Sequence, residues 1–147
     1  MSDTVEKATR SQIMRAVRRS STKPEMELRR RLHAMGFRYR LNVPRLPGSP
    51  DLVFPRYRAA VFVHGCFWHR HDGCRRTTMP KTRTEFWSAK FGRNIQRDAD
   101  VEQTLLAEGW RVGVVWECKL KKSVAGPTAA LVAEWLKSNT ATMSDPM

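Results

Sequence analysis

Ala59-Ala60-Val61-Phe62-Val63 is an unbroken apolar run that leads directly into His64-Gly65-Cys66-Phe67-Trp68-His69. Apolar residues without alternation are the pattern of a strand covered on both faces. The expected strand is Arg58–His64, closed by Gly65, and the loop beyond it carries thiols, imidazoles and aromatic rings. Upstream, Phe37–Leu41 and Asp51–Phe54 read as two further strands, separated by turns at Pro47-Gly48 and Pro55-Arg56. Before them, Thr22 or Lys23 caps a helix with Pro24 near its first position, running to about Met35, where Gly36 stops it. Glu25, Leu28, Leu32 and Met35 share one face of that helix. A carboxylate thus starts the buried stripe, and it needs a partner there. Thr9–Arg19 alternates basic and apolar residues and forms a short basic helix on this reading.

Downstream, Gly65–Lys81 is irregular. Thr82–Glu85 matches a capping box that opens a helix, with a break at Gly92 and a stop at Gly109. Trp110–Trp116 is another buried strand, and Pro127–Lys137 a last helix packing Leu131, Val132 and Trp135. Helix, three strands, helix, strand, helix describes an α/β fold: a small central sheet flanked by helices. The expected organisation is a basic arm over 1–20, one domain over 21–138, and a polar, disordered tail over 139–147.

The 147 residues suit a single domain, and 27 Lys+Arg against 14 Asp+Glu give a net charge of +13. Such a balance calls for a polyanionic partner, foremost nucleic acid. A protein that merely coats nucleic acid has the same charge signature. No stretch approaches the ~20 apolar residues of a membrane span. Met1–Arg10 lacks the apolar region of a signal peptide, and an odd number of cysteines argues against a disulfide framework. A reducing cytoplasm is the expected compartment.

Cys66, His71 and Cys74 follow a C-x4-H-x2-C spacing, and Cys118 sits just after the Trp110–Trp116 strand. Three thiolates and one imidazole make a complete tetrahedral shell for zinc, which would staple the long loop to the last strand and leave no open position for substrate. Buried free cysteines are the alternative. His64 and His69 remain as candidates for proton transfer or metal ligation; His33 lies off the apolar stripe and reads as a surface residue. Acidic residues are scarce, so Asp51, at the start of a strand, is the best candidate to hold Mg²⁺ for phosphodiester hydrolysis, with Glu25 as a partner. A turn-capping aspartate and a first-turn glutamate are the ordinary readings of the same residues.

Several blocks carry a resemblance: Ala8-Thr9-Arg10-Ser11 with Met14-Arg15-Ala16, Leu46-Pro47-Gly48-Ser49-Pro50-Asp51, His64-Gly65-Cys66-Phe67-Trp68-His69, Thr82-Arg83-Thr84-Glu85-Phe86-Trp87 and Val115-Trp116-Glu117-Cys118. They lie in order across Ala8–Leu120. The chain resembles the very short patch repair endonucleases, a divergent branch of restriction-type nucleases. Those nucleases pair Pro-Asp with an acidic-x-Lys on the next strand. Here Val63-His64-Gly65 replaces the second element, which is the departure that branch shows.

The resemblance implies a restriction-endonuclease-like fold and a nick on the 5′ side of the thymine in a T·G mismatch. Asp51 would bind catalytic Mg²⁺, with the backbone carbonyl of Val63 replacing the missing acidic ligand. His64 and His69 would organise and deprotonate the attacking water, and Glu25 would hold the surrounding water and a histidine. Zinc at Cys66, His71, Cys74 and Cys118 would be structural; Asp72-Gly73 sets a local spacing that leaves His69 as an alternative to His71. Phe67, Trp68 and Trp87 would enter the base stack from the major groove and Met14 from the minor groove, with Arg15 and Arg83 as further DNA contacts. The partners implied are mismatched duplex DNA, mismatch-repair proteins and an associated cytosine methyltransferase, for a monomer at the nucleoid of a prokaryote. The rival readings are a zinc-stapled DNA-binding protein without catalysis and a nuclease of the same fold with another DNA target.

Overall fold

The structure, a computed structural model, describes residues 22–144. These contain three helices, α1 (Lys23–Ala34), α2 (Thr84–Ala107) and α3 (Lys122–Lys137), and five strands, β1 (Arg40–Leu41), β2 (Leu52–Phe54), β3 (Ala59–His64), β4 (Arg111–Trp116) and β5 (Thr142–Met143). The basic arm, including the Thr9–Arg19 helix, lies outside the described residues.

The strands form one mixed sheet in the order β1-β2-β3-β4-β5. β1, β2 and β3 pair antiparallel, while β3–β4 and β4–β5 are parallel. The parallel pairs need long crossovers, and α2 and α3 supply them. β3 is therefore central, and its two sets of alternating side chains feed different cores. Ala59 and Val61 pack with Leu28, Leu32, Phe54, Val115, Ala129 and Val132 beneath α1 and α3. Ala60 packs with Leu105, Val112 and the half-buried Phe62 and Val101 beneath α2. The unalternating run reflects this burial on both sides.

Several local expectations change. The α1 stripe buries Glu25, Leu28 and Leu32, but Met35, already the C-cap, is 46% exposed. β1 keeps only two residues of Phe37–Leu41, because Phe37 turns into the core against Phe54 and Tyr57. The Thr82–Glu85 capping box does not form: α2 begins at Thr84, and its cap is Arg83 in left-handed backbone without a side-chain cap bond. Gly92 does not break α2, whose 24 residues run straight through it; a mid-helix glycine costs only ~1 kcal/mol, which packing along the rest of the helix outweighs. Helix α3 starts at Lys122, ahead of Pro127, which sits inside it. Of the tail expected to be disordered, residues 139–144 are described and run into β5, held by Val112 N–H donating to the Ala141 carbonyl (3.0 Å) and by Arg111, which donates to Thr140, Leu136 and Trp135 carbonyls; residues 145–147 lie outside the described residues.

Candidate active site and metal cluster

The chemistry gathers where β3 and β4 end. Asp51, just before β2, accepts a hydrogen bond from the backbone N–H of Val63 on the neighbouring strand (2.7 Å). Burial pushes its carboxyl up to about 7, and the nearby charge of Glu25 pushes the same way; the Val63 bond and His69 oppose them. Glu25 is 1% exposed and accepts from Arg29 Nη1 at 2.9 Å, one helical turn on.

His64 is the last residue of β3. Its ring stacks on that of His69, with centroids 3.9 Å apart and planes within 5°. The loop makes this possible by turning back at once: His69 N–H donates to the Gly65 carbonyl (3.1 Å). Burial, reinforced by His69, pushes the His64 pKa down to about 3, so this imidazole is neutral at physiological pH. His69 Nδ1 lies 2.6 Å from Asp98 Oδ2 on α2.

Asp98 was not foreseen. Its signal was nevertheless present, because Phe91, Asn94, Asp98, Val101 and Leu105 form one inward stripe of α2. Two polar residues in an otherwise apolar stripe mark positions with partners, and Asn94 Nδ2 donates to the Trp68 carbonyl (3.2 Å).

A second cluster adjoins the first. Ligand atoms of Cys66, His71, Cys74 and Cys118 all lie within 4.8 Å of one another, whereas His69 belongs with His64 and Asp98 in a separate group. The loop folds on itself through His71 N–H to the Cys66 carbonyl (3.0 Å) and Cys74 N–H to the His71 carbonyl (3.3 Å). Cys66 N–H donates to Glu117 Oε1 (3.2 Å), which ties the loop to the end of β4. Burial pushes the Cys66 thiol up to about 12, while a hydrogen bond from the Arg76 backbone holds Cys74 down at about 7. The four donors can hold a metal ion, and no disulfide joins the cysteines. A thiol as reluctant to ionise as Cys66 is one a soft cation would favour as thiolate.

Phe67, Trp68 and Trp87 are brought together: Phe67 meets Trp68 at 5.1 Å and Trp87 at 6.1 Å, and the two indoles are 6.0 Å apart. Phe91 lies beneath them, and Lys90 sits over both indoles. Arg83 stacks on Phe86 (4.5 Å), which is 43% exposed. His33 is on the surface, and Met14 and Arg15 lie outside the described residues.

A sheet whose strand ends carry a buried carboxylate and a histidine pair, beside an aromatic patch ringed by cations, has the constitution of an enzyme that hydrolyses a polyanion. A family model described as DNA mismatch endonuclease Vsr matches residues 2–76. The DNA mismatch endonuclease Vsr of Escherichia coli (strain K12) is 46% identical over 121 residues, covering 82% of this chain and 77% of that protein. The type II nicking enzyme V.XorIIP of Xanthomonas oryzae pv. oryzae is 49% identical over 120 residues, 82% of this chain and 88% of its own. V.NmeAIP, a type II nicking enzyme of Neisseria meningitidis, is 43% identical over 121 residues, 82% and 86%. The chain belongs to the Vsr DNA mismatch endonuclease family. It is accordingly a DNA endonuclease, a hydrolase whose substrate is DNA. Among the described residues no helix is long and apolar enough to cross a membrane.

Proposed function

We propose that this endonuclease nicks one strand of a duplex 5′ to the mispaired thymine of a T·G mismatch, by Mg²⁺-dependent hydrolysis on a restriction-endonuclease-like sheet, and so initiates very short patch repair. The observation that carries the reading is the stacked His64–His69 pair, backed by Asp98 and set beside the buried Asp51. A carboxylate whose burial raises its pKa to about 7 is stabilised as an anion by a cation, and hard carboxylate oxygen suits Mg²⁺. The N–H and C=O of a strand residue project to the same edge. Val63 aims its N–H at Asp51, so its carbonyl oxygen faces that edge too and would join Asp51 in holding the ion. When bound, the ion would neutralise charge on the phosphate and make water more acidic.

The side chains do the rest. Asp98 engages His69 Nδ1, which leaves Nε2 as the ring nitrogen for proton transfer. From there Nε2 takes a proton from the attacking water, and Asp98 stabilises the resulting imidazolium. His64 is neutral and presents a hydrogen-bond acceptor to the same water. Hydrolysis leaves a 3′-hydroxyl and a 5′-phosphate. Phe67, Trp68 and Trp87 would enter the base stack, where a wobble pair is easier to part than a matched one. Zinc suits the Cys66, His71, Cys74 and Cys118 shell and would serve structure rather than chemistry, since four protein donors leave no open position. A cytosine methyltransferase and mismatch-repair proteins are the partners this reading implies.

The test is nicking of a labelled duplex with one T·G mismatch beside its T·A-paired twin, with Mg²⁺ and with EDTA. Metal-dependent cutting of the thymine strand alone, lost in Asp51→Ala, supports the proposal. Relatives named as type II nicking enzymes favour a second reading, a nuclease of different specificity; equal cutting of both duplexes would support that one.

A further inference from the structure

Among the described residues, the two clusters share a neighbour in one side chain. Trp116, the last residue of β4, stacks on His71 of the Cys/His cluster (centroids 4.2 Å, planes within 8°). It also sets its edge against His64 of the histidine pair (5.2 Å, 75°). The parallel register pairs His64 with Trp116, so both rings leave the sheet side by side on the same face. The next two residues also belong to this junction: Glu117 accepts from Cys66 N–H, and Cys118 is a member of the cluster.

The two histidines are held differently. His69 is fixed by a carboxylate and by its backbone bond to Gly65. Among the described residues, the His64 ring has no hydrogen-bonded partner. Its orientation rests on three ring contacts: His69 on its face, Phe62 at 5.8 Å and Trp116 at 5.2 Å. His69 is held from the α2 side by Asp98, and Phe62 is part of the core beneath α2. Trp116 alone braces the ring from the direction of the metal cluster.

We propose that Trp116 is a positioning residue, which fixes the His64 ring for hydrolysis by bearing on His71 and so makes the geometry of the histidine pair depend on the Cys/His cluster. The proposal rests on the catalytic reading of His64 given above. It requires no contact between Trp116 and DNA. Its loss should therefore slow the chemical step and leave substrate binding alone.

The experiment compares Trp116→Leu and Trp116→Phe with the unaltered protein, measuring kcat and KM on the T·G duplex, bound metal per chain, and the ring ¹H–¹⁵N signals of His64 and His69. Leu removes both ring contacts, and Phe keeps an aromatic edge and face. Trp116→Leu is expected to keep its metal and its KM while kcat falls about tenfold or more, because small misplacements of a reacting group are costly. Trp116→Phe should recover at least about a third of the rate. The His64 signals should shift and broaden in Trp116→Leu, while those of His69, tied to Asp98, stay in place. An unchanged kcat, or unchanged His64 signals, in Trp116→Leu would overturn the proposal. So would loss of metal or of the folded state in that variant, which would make Trp116 a structural residue only. If the unaltered protein fails to nick T·G duplex, the functional reading falls, and the ring signals still decide whether Trp116 sets His64.

Discussion

At the scale of single residues, the site holds two groups whose ionisation opposes folding in opposite directions. Asp51 is raised from 3.8 to about 7, and His64 is lowered from 6.5 to about 3. A raised carboxyl favours the fold below its unfolded pKa, and the advantage is lost as pH climbs to about 7. A depressed imidazole favours the fold above 6.5, and that advantage is lost as pH falls toward about 3. Between about pH 4 and 6.5 the folded chain carries the Asp51 proton while the unfolded chain carries the His64 proton, so the two effects offset. Asp51→Asn should therefore be more stable than the unaltered protein at about pH 8 without divalent ions, and should lose that lead on acidification to about pH 4. Thermal melts across that range check it; a variant less stable at both ends would contradict the buried-carboxylate argument. Asp98→Asn tests a different residue. With His69 deprived of its charged partner, kcat should fall about a hundredfold, with KM little changed. A rate within twofold of normal would show that His69 does not need Asp98.

At the scale of elements, the sheet depends on close approach as well as on apolar content. Gly113 in β4 leaves room for the Trp135 indole of α3: a Cβ there would stand 2.9 Å from Cζ3. Trp135 is pinned, since its Nε1 donates to the Thr140 carbonyl (3.0 Å) and Arg111 lies over its ring (4.7 Å). Gly113→Ala should cost about 1–3 kcal/mol by overpacking, visible as a lower melting temperature. Below that temperature the nicking rate should hold, because Trp135 lies on the α1–α3 side of the sheet. The turn before Asp51 is similarly tight. Gly48, at φ +75, faces Val101 of α2 so closely that a Cβ would stand 2.7 Å from its Cγ1. Only glycine suits that backbone and that spacing together, and the fit seats the turn that delivers Asp51 to Val63.

At the scale of the whole molecule, a long stretch without helix or strand joins β3 to α2 and has little apolar core of its own. It nevertheless carries His69, the Phe67–Trp68 part of the aromatic patch and three of the four cluster residues. The cluster anchors this stretch to the end of β4. Stripping the proposed zinc with a strong chelator should leave the two cores, and hence the far-ultraviolet circular dichroism, nearly intact. Proteolysis should then open the chain between Gly65 and Arg83, and nicking should be lost even with Mg²⁺ in excess. Uniform cleavage across the sheet, or an unfolded spectrum, would show instead that the metal holds the entire fold.

The sequence by itself determined the alternation-free β3, the helix stripe with Glu25 in it, the three cysteines of the Cys/His cluster, and the placing of Asp51 and His64 at strand boundaries, while the choice of His71 over His69 as the fourth member came from the fold. Each follows from local periodicity or from the spacing of chemically demanding residues. Only the tertiary structure decided the rest. The start of α2 at Thr84, its passage through Gly92, and α3 running ahead of Pro127 all run against local start and stop signals, because packing against the sheet outweighs local costs of ~1 kcal/mol for a mid-helix glycine and ~3 kcal/mol for a mid-helix proline. Asp98 is distant in sequence from His69, and Trp116 from both His64 and His71; their meeting depends on the crossover of α2 and the parallel register of β3 and β4. Such pairings are set by which strand lies beside which, and no local pattern in the chain encodes that.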